Sequence, residues 1–419
     1  MQPTSTQPAP PIHLARPDAA RIEPLLAHLQ ARHGVDPAAA RVVKVPLRIC
    51  PLGAHIDHQL GPVTGLTIDQ SLLLAFAPTT DGRVQIDSLN FNTPVAFSLD
   101  QVPPYRPGDW GNYSRGAVLG LQQHYPLSRG LIGVVGGEMP IGGLSSSAAV
   151  TIAYLLALET VNGLDVSARE NVALVRYTEN HYIGLNNGIL DQSVILFNEQ
   201  DQLTLIDCAT IEVSNVPPGP ALADYELLVI YSGISHGLVG TDYNNRVAEC
   251  REAARQMLTL AGQPLAEPPL LGHVAPQLFA EAGPRLDTPL RKRAAHFFGE
   301  VQRVAEGVAA WQAGDLAAFG RLISASGHSS ITNYECGSPP LISLYEILAE
   351  TPGVYGTRFS GAGFRGSCLA LIDPAARESI AEAVQRRYPT AHPQEAAAYS
   401  LHICRPGCRA QVLPPGGTV

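Results

Sequence analysis

The sequence predicts an α+β fold in two halves. Three observations carry that expectation. Strand-like runs and helical segments follow one another without a regular βα alternation, and several strand-like runs lie close enough to form hairpins. No internal repeat marks the chain. A proline- and glycine-rich string, residues 214–220 (SNVPPGP), interrupts the pattern near its middle. The 419 residues suit two domains. The expected division is a flexible tail over 1–17, an N-terminal domain over 18–215 and a C-terminal domain over 216–419.

Residues 42–50 (VVKVPLRIC) read as a strand. Residues 66–77 and 83–91 are apolar, β-leaning runs joined through Thr79-Thr80-Asp81-Gly82, and the Asp-Gly pair signals a hairpin. Residues 112–124 read as helix. After Gly142-Gly143-Leu144 come three serines and an apolar stretch ending at Asn162-Gly163, with serine and Asn-Gly as start and stop signals. Ser167 and Glu170 form a capping box that opens a helix running to about Gly184. A short helix over 188–197 and a strand over 203–208 close the first half. The second half reads as a strand (226–231), a helix (241–260) and a proline-rich loop. A helix opened by Thr288-Pro289 then ends at Gly314, and helices follow near 315–326 and 340–350. Strands at 354–360 and 367–372 flank a glycine turn, and a helix (375–388) and a strand (397–403) complete it.

Composition narrows the function. The net charge of −9 speaks against binding nucleic acid or anionic membranes in bulk. No apolar run reaches the length of a membrane span, and the Pro-, Gln- and Thr-rich start lacks the charge and apolar core of a secretory signal. The seven scattered cysteines include no C-x-x-C, which points to a reducing cytoplasm and buried thiols. Among 28 Lys and Arg, only Lys44 and Lys292 are lysine, and neither follows the glycines of a P-loop. The G-x-G-x-x-G and H-R-D strings of protein kinases are also missing. Handling polyphosphate here therefore requires backbone N–H groups, a metal and arginine.

Three constellations suggest such a site. Gly142-Gly143-Leu144-Ser145-Ser146-Ser147-Ala148-Ala149 lets backbone approach an anion just before a helix N-terminus, where unpaired N–H groups and the positive end of the dipole meet it. Ser360-Gly361-Ala362-Gly363-Phe364-Arg365-Gly366-Ser367 is a glycine turn between two strands. Arg48 with Gly53-Ala54-His55-Ile56-Asp57-His58, and later Asp191 near a helix start, could line a polar pocket.

In order and spacing these strings resemble the three motifs of the GHMP small-molecule kinase superfamily, as galactokinases carry them. The galactokinase R-x-x-x-x-G-E-H-x-D-Y corresponds to Arg48 through His58, and G-L-S-S-S-A-A to Gly143 through Ala149. G-G-G-F-G-G corresponds to Gly361 through Gly366. Glu179 and Gly188-Ile189-Leu190-Asp191-Gln192 match a galactokinase glutamate and G-I-M-D-Q, and Trp110-Gly111-Asn112-Tyr113 and His236 through Tyr243-Asn244 match further strings. The likeness spans roughly residues 40–372. It implies the two-domain GHMP kinase fold, with a ribosomal protein S5 domain 2-like N-terminal half and a ferredoxin-like C-terminal half.

The resemblance also implies ATP and Mg²⁺. Asp191 would take the proton from an anomeric hydroxyl, and Arg48 beside it would stabilise charge on the transferring phosphoryl. Ser147 and Glu179 would hold Mg²⁺. Gly142, Gly143, Leu144, Ser145, Ser146 and Ser147 would cradle the phosphates, and Trp110 would lie near adenine. Ala54, His55, Ile56, Asp57, Gly188, Tyr243 and Arg365 would line the sugar.

The departures from galactokinases bear on the substrate. Ala54 stands where galactokinases have a glutamate for the C6 hydroxyl, His58 where they have tyrosine, and Ala362 and Arg365 where they have glycine. The phosphate loop, Pro140-Ile141-Gly142-Gly143-Leu144, is one residue shorter. These features resemble galacturonokinases. A glutamate beside the C6 carboxylate of galacturonate would set two anions ~4 Å apart, worth about 4 kcal/mol at an effective dielectric of about 20. Alanine removes that repulsion, and Arg365 could face the carboxylate or phosphate. The expectation is ATP-dependent phosphorylation of D-galacturonate at the anomeric hydroxyl by a cytoplasmic monomer or weak homodimer. The alternatives are galactokinase or another sugar-1-kinase (glucuronate, arabinose), and a non-catalytic sugar-binding regulator of the same fold.

Overall fold

The computed structural model describes residues 11–140, 142–185, 187–234 and 243–415. Ile141 and His236 lie outside the described residues.

The chain opens with β1 (Ile12–Leu14) and α1 (Asp18–His33), then β2 (Arg41–Ile49), β3 (Val63–Pro78), β4 (Arg83–Ser88) and β5 (Val95–Ser98). Next come α2 (Asn112–Gln122), β6 (Leu131–Gly136), α3 (Ser146–Asn162), α4 (Ala168–Arg176) and α5 (Leu190–Phe197), followed by the hairpin β7 (Leu203–Asp207) and β8 (Glu212–Val216). The second half contains β9 (Glu226–Tyr231), α6 (Tyr243–Leu260), α7 (Pro276–Ala282), α8 (Thr288–Ala313), α9 (Leu316–Thr332) and α10 (Pro339–Ala349). It ends with β10 (Val354–Phe359), β11 (Ser367–Ile372), α11 (Arg377–Ala391), β12 (Ser400–Cys404) and β13 (Gln411–Leu413).

Two sheets result. The first is eight-stranded, in the order β13-β2-β3-β6-β4-β5, with β7 and β8 attached through β3. Its alternation sorts side chains to two faces. Leu74 and Phe76 join the main core, whereas Leu73 and Ala75 face Ile22, Leu25 and Leu29 of α1. The second sheet runs β1-β12-β9-β11-β10. Helix α3 is apolar all round, as a fully buried helix must be, and packs on β2 and β3. That burial fixes its N-terminus at the site.

Three expectations need correction. Asp81-Gly82 does not close a hairpin: β6 inserts between β3 and β4, antiparallel to the first and parallel to the second. The turn is held locally instead, with Asp81 Oδ1 accepting from Arg83 N at 3.1 Å. The tail expected over 1–17 contains β1, which pairs in parallel with β12 and stacks His13 on His402. The division at 215/216 also gives way at both chain ends. β1 belongs to the second sheet, and β13 returns to pair with β2 of the first. Backbone hydrogen bonding satisfied at a remote sheet edge outweighs sequence proximity here.

Candidate active site

Motif one begins where β2 ends. Arg48 is 3% exposed, and its Nε and Nη2 reach Asp191 Oδ1 of α5 at 2.8 and 2.6 Å. Among the described residues Arg48 Nη1 is buried without an acceptor, so this guanidinium retains a donor for a further anion. Gly188 admits the approach of Asp57: a Cβ at this position would stand 2.5 Å from Asp57 Cγ. Asp57 Oδ2 accepts from Leu190 N at 3.4 Å. Burial, reinforced by Asp191, pushes the Asp57 carboxyl up to about 6. Tyr243, at the start of α6, meets His58 edge-on at 6.0 Å, and burial drives its hydroxyl pKa well up. Asp57, Asp191 and Glu179 are its electrostatic neighbours.

His55 adopts a left-handed φ of 58° and stacks on Tyr334 at 4.4 Å. The turn that carries it is anchored from below by α8. Gly53 N and Ala54 N both donate to Glu300 Oε2, at 2.8 and 2.9 Å. His296 Nε2–H donates to Ala54 O at 2.8 Å. Sequence reasoning missed Glu300 and His296. Their spacing of four places them on one helix face, but charged residues on a long helix otherwise read as solvated. Ile56 is a core residue, 1% exposed, whose side chain packs where a Cβ on Gly61 would collide.

Motifs two and three touch through backbone. Gly142 and Gly143 have φ of 154° and 79°, and Ser145, the residue before α3, has φ of 62°. A Cβ on Gly366 would stand 2.7 Å from Gly142 C, and one on Gly361 2.7 Å from Gly143 Cα. Ser360 Oγ and Ser367 Oγ donate to Gly143 O and Gly142 O at 2.5 and 3.1 Å. Leu144 O accepts from Arg48 N at 3.5 Å, tying the loop to the strand that bears Arg48. Ser145 makes no side-chain cap, and its Oγ is buried without a partner. The loop therefore presents glycine backbone, Ser146 and free first-turn N–H groups of α3, which is the chemistry of a phosphate cradle.

Glu179 sits in a π-helical turn over Tyr177–Ile183. It is fully buried. Asn187 Nδ2 donates to its Oε2 at 2.7 Å, and Ser147 hydrogen-bonds the same carboxylate. Burial, then Asp191, pushes this carboxyl up to about 7. Oε1 has no partner. A buried, unpartnered carboxylate oxygen beside a serine hydroxyl is a hard-oxygen donor set that fits Mg²⁺.

Trp110 donates Nε1–H to Thr93 O at 3.0 Å and stacks on Phe91, 5.7 Å away and 12° from parallel. Phe91, which no motif singled out, is 41% exposed. Its loop is pinned by Asn90 to Gly137, on the segment that leads into the phosphate loop. This pair, with Phe91 exposed and Trp110 half-buried, offers a face to a flat base. Arg365, expected to face either the sugar carboxylate or phosphate, lies toward the second. Its electrostatic neighbour is Tyr231, whose ring lies 3.5 Å from where a Cβ on Gly142 would be. It therefore stands on the phosphate-loop side.

The chain matches the families described as GHMP kinases N terminal domain, over residues 112–199, and GHMP kinases C terminal, over residues 306–390. It is 45% identical to a galacturonokinase of Arabidopsis thaliana over 404 residues, covering 91% of this chain and 95% of that protein. The chain belongs to the GHMP kinase family. A galactokinase of a Roseiflexus strain is 31% identical, over 90% of this chain and 93% of its own. The crystal structure of Lactococcus lactis galactokinase complexed with galactose superposes with a TM-score of 0.86 at 30% identity, covering 93% of this GHMP kinase and 99% of that chain. Methanococcus jannaschii mevalonate kinase shares the fold at a TM-score of 0.63 and 14% identity. The family implies ATP as phosphoryl donor, and the galacturonokinase and galactokinase relatives make this chain a sugar 1-kinase. No helix among the described residues is long and apolar enough to cross a membrane.

Proposed function

We propose that this kinase transfers the γ-phosphoryl of ATP to the anomeric hydroxyl of D-galacturonate, giving galacturonate 1-phosphate and ADP. The observation that carries this reading is Ala54. It occupies the position of the galactokinase glutamate in a turn otherwise kept intact by Glu300 and His296.

Asp191 accepts the proton of the anomeric hydroxyl as that oxygen bonds to phosphorus and the bond to ADP breaks. Arg48 orients Asp191 through two N–H groups on one oxygen and offers Nη1 to the transferring phosphoryl. His55, Asp57, Gly188 and Tyr243 orient the sugar, and residues 142–147 with Arg365 bind the phosphates. Trp110 and Phe91 receive the base. Ser147 and Glu179 would hold Mg²⁺, which when bound neutralises phosphate charge. The seven free thiols, six of them buried, suit a reducing cytoplasm, where the enzyme acts on small molecules as a monomer or weak homodimer.

Steady-state ADP release over galacturonate, galactose, glucuronate and arabinose tests the reading. The highest kcat/KM is expected for galacturonate, and Ala54→Glu is expected to move the preference toward galactose. A wild-type preference for galactose would leave only the sugar-kinase assignment, and no turnover of any sugar would favour a binding protein.

A further inference from the structure

We infer that Arg358 supplies the counter-charge for the C6 carboxylate of the sugar, a role the sequence pattern had suggested for Arg365. The inference rests on the galacturonate reading above and names the group that makes that reading work.

Arg358 lies on β10 and is 2% exposed. Its hydrogen bonds reach only neutral acceptors. Nε donates to Phe359 O at 3.0 Å, and Nη1 donates to Pro51 O at 3.3 Å and Cys50 Sγ at 3.8 Å. No carboxylate lies within ion-pair distance of it among the described residues. A buried guanidinium is ordinarily paired, because removing an uncompensated charge from water is costly. This one is held against the first residues of the motif-one turn, three positions before Ala54.

Glu300 is the carboxylate packed beneath the same turn, and its lone pairs are already committed. Oε2 accepts from Gly53 N, Ala54 N and, at 3.0 Å, Ser326 Oγ, while Oε1 accepts from Arg303 Nε at 2.7 Å. Arg303 pairs with Glu300 directly, and the Arg358 charge also favours that carboxylate without an ion pair to it, so two guanidiniums face one carboxylate. The remaining polar groups around the turn add no charge to offset the excess. His296 donates to Ala54 O and is otherwise bonded to Ser329, and Cys336 Sγ lies 3.6 Å from His55 Nε2. Burial, with the Arg358 charge contributing, holds both histidines toward their neutral forms, and burial keeps the Cys50 and Cys336 thiols protonated against the opposing pull of that charge. The underside of the turn thus carries one uncompensated positive charge. Ala54 brings no carboxylate to meet it, so the acid must come from the ligand. Arg365, set against Tyr231 and the phosphate loop, is not placed to provide this charge.

The test compares Arg358→Gln and Arg358→Lys with wild type on galacturonate and galactose. Arg358→Gln is expected to lower kcat/KM for galacturonate about tenfold or more through KM, with galactose changing less than about threefold. Arg358→Lys is expected to recover most of the ratio because it keeps the charge. Equal losses on both sugars, or an unchanged ratio, would overturn the assignment. A wild type that uses galactose but not galacturonate would instead overturn the substrate reading, and the Arg358 role would fall with it. Should Arg358→Gln not fold, the thermal midpoints of ligand-free Ala54→Glu and Ala54→Gln decide, since the two side chains match in size. With an unpaired cation below, Ala54→Glu is expected to melt higher at neutral pH. A lower midpoint for Ala54→Glu would refute the role.

Discussion

Arg48 and Asp191, 143 residues apart, share one oxygen: both Nε and Nη2 of the arginine address Asp191 Oδ1, at 2.8 and 2.6 Å. The other carboxylate oxygen is left for the substrate, and Arg48 Nη1 is left for phosphate. If Asp191 is the base, Asp191→Asn should lower kcat by about 10²–10⁴ while sugar and ATP still bind. Rapid-quench turnover with parallel calorimetric titration checks both. Turnover above a tenth of wild type would remove Asp191 from this role.

Glu179 is buried, touches Ser147 and Asn187, and keeps Oε1 unpartnered. Glu179→Ala is expected to raise the Mg²⁺ concentration for half-maximal rate by at least about tenfold, and to weaken Mn²⁺ binding seen by electron paramagnetic resonance in the presence of ADP. An unchanged titration would make Glu179 a structural carboxylate.

Asp57 carries a stability cost that depends on pH. Its carboxyl titrates near 6 in the folded chain and near 3.9 unfolded. Between those values the native state holds a proton that the unfolded state has lost, so stability falls as pH rises from about 4 to 6. Above that window the penalty approaches about 3 kcal/mol. Asp57→Asn should therefore be more stable than wild type at pH 7.5 and no more stable at pH 4, as read by urea melts. Its kcat/KM should fall, because the sugar loses an acceptor.

Arg365 stands beside Tyr231 at the phosphate loop. Arg365→Gly is expected to raise KM for ATP severalfold and to leave KM for the sugar unchanged. Initial-rate kinetics with each substrate varied in turn will show which constant moves.

Much of this site was legible in the sequence because its chemistry is local. Glycines at 142 and 143 and the serines at the start of α3 announce an anion-binding helix start wherever the chain places it. What escaped was non-local. Nothing in Thr79-Thr80-Asp81-Gly82 shows that β6 will come between its flanking strands, and nothing in Ile12–Leu14 shows that its partner is β12. Glu300 and His296 escaped because only the fold brings α8 under Gly53 and Ala54. Arg365 lies within the glycine turn and Arg358 on the strand that enters it. The sequence could not say that the first lies toward phosphate and the second beneath the sugar turn.

The central claim is the identity of the acceptor, and a competition measures it directly. Equal concentrations of galacturonate and galactose, with one equivalent of ATP, are incubated with the enzyme, and the sugar 1-phosphates are quantified by phosphorus NMR. Galacturonate 1-phosphate should dominate the product. A majority of galactose 1-phosphate would contradict the assignment.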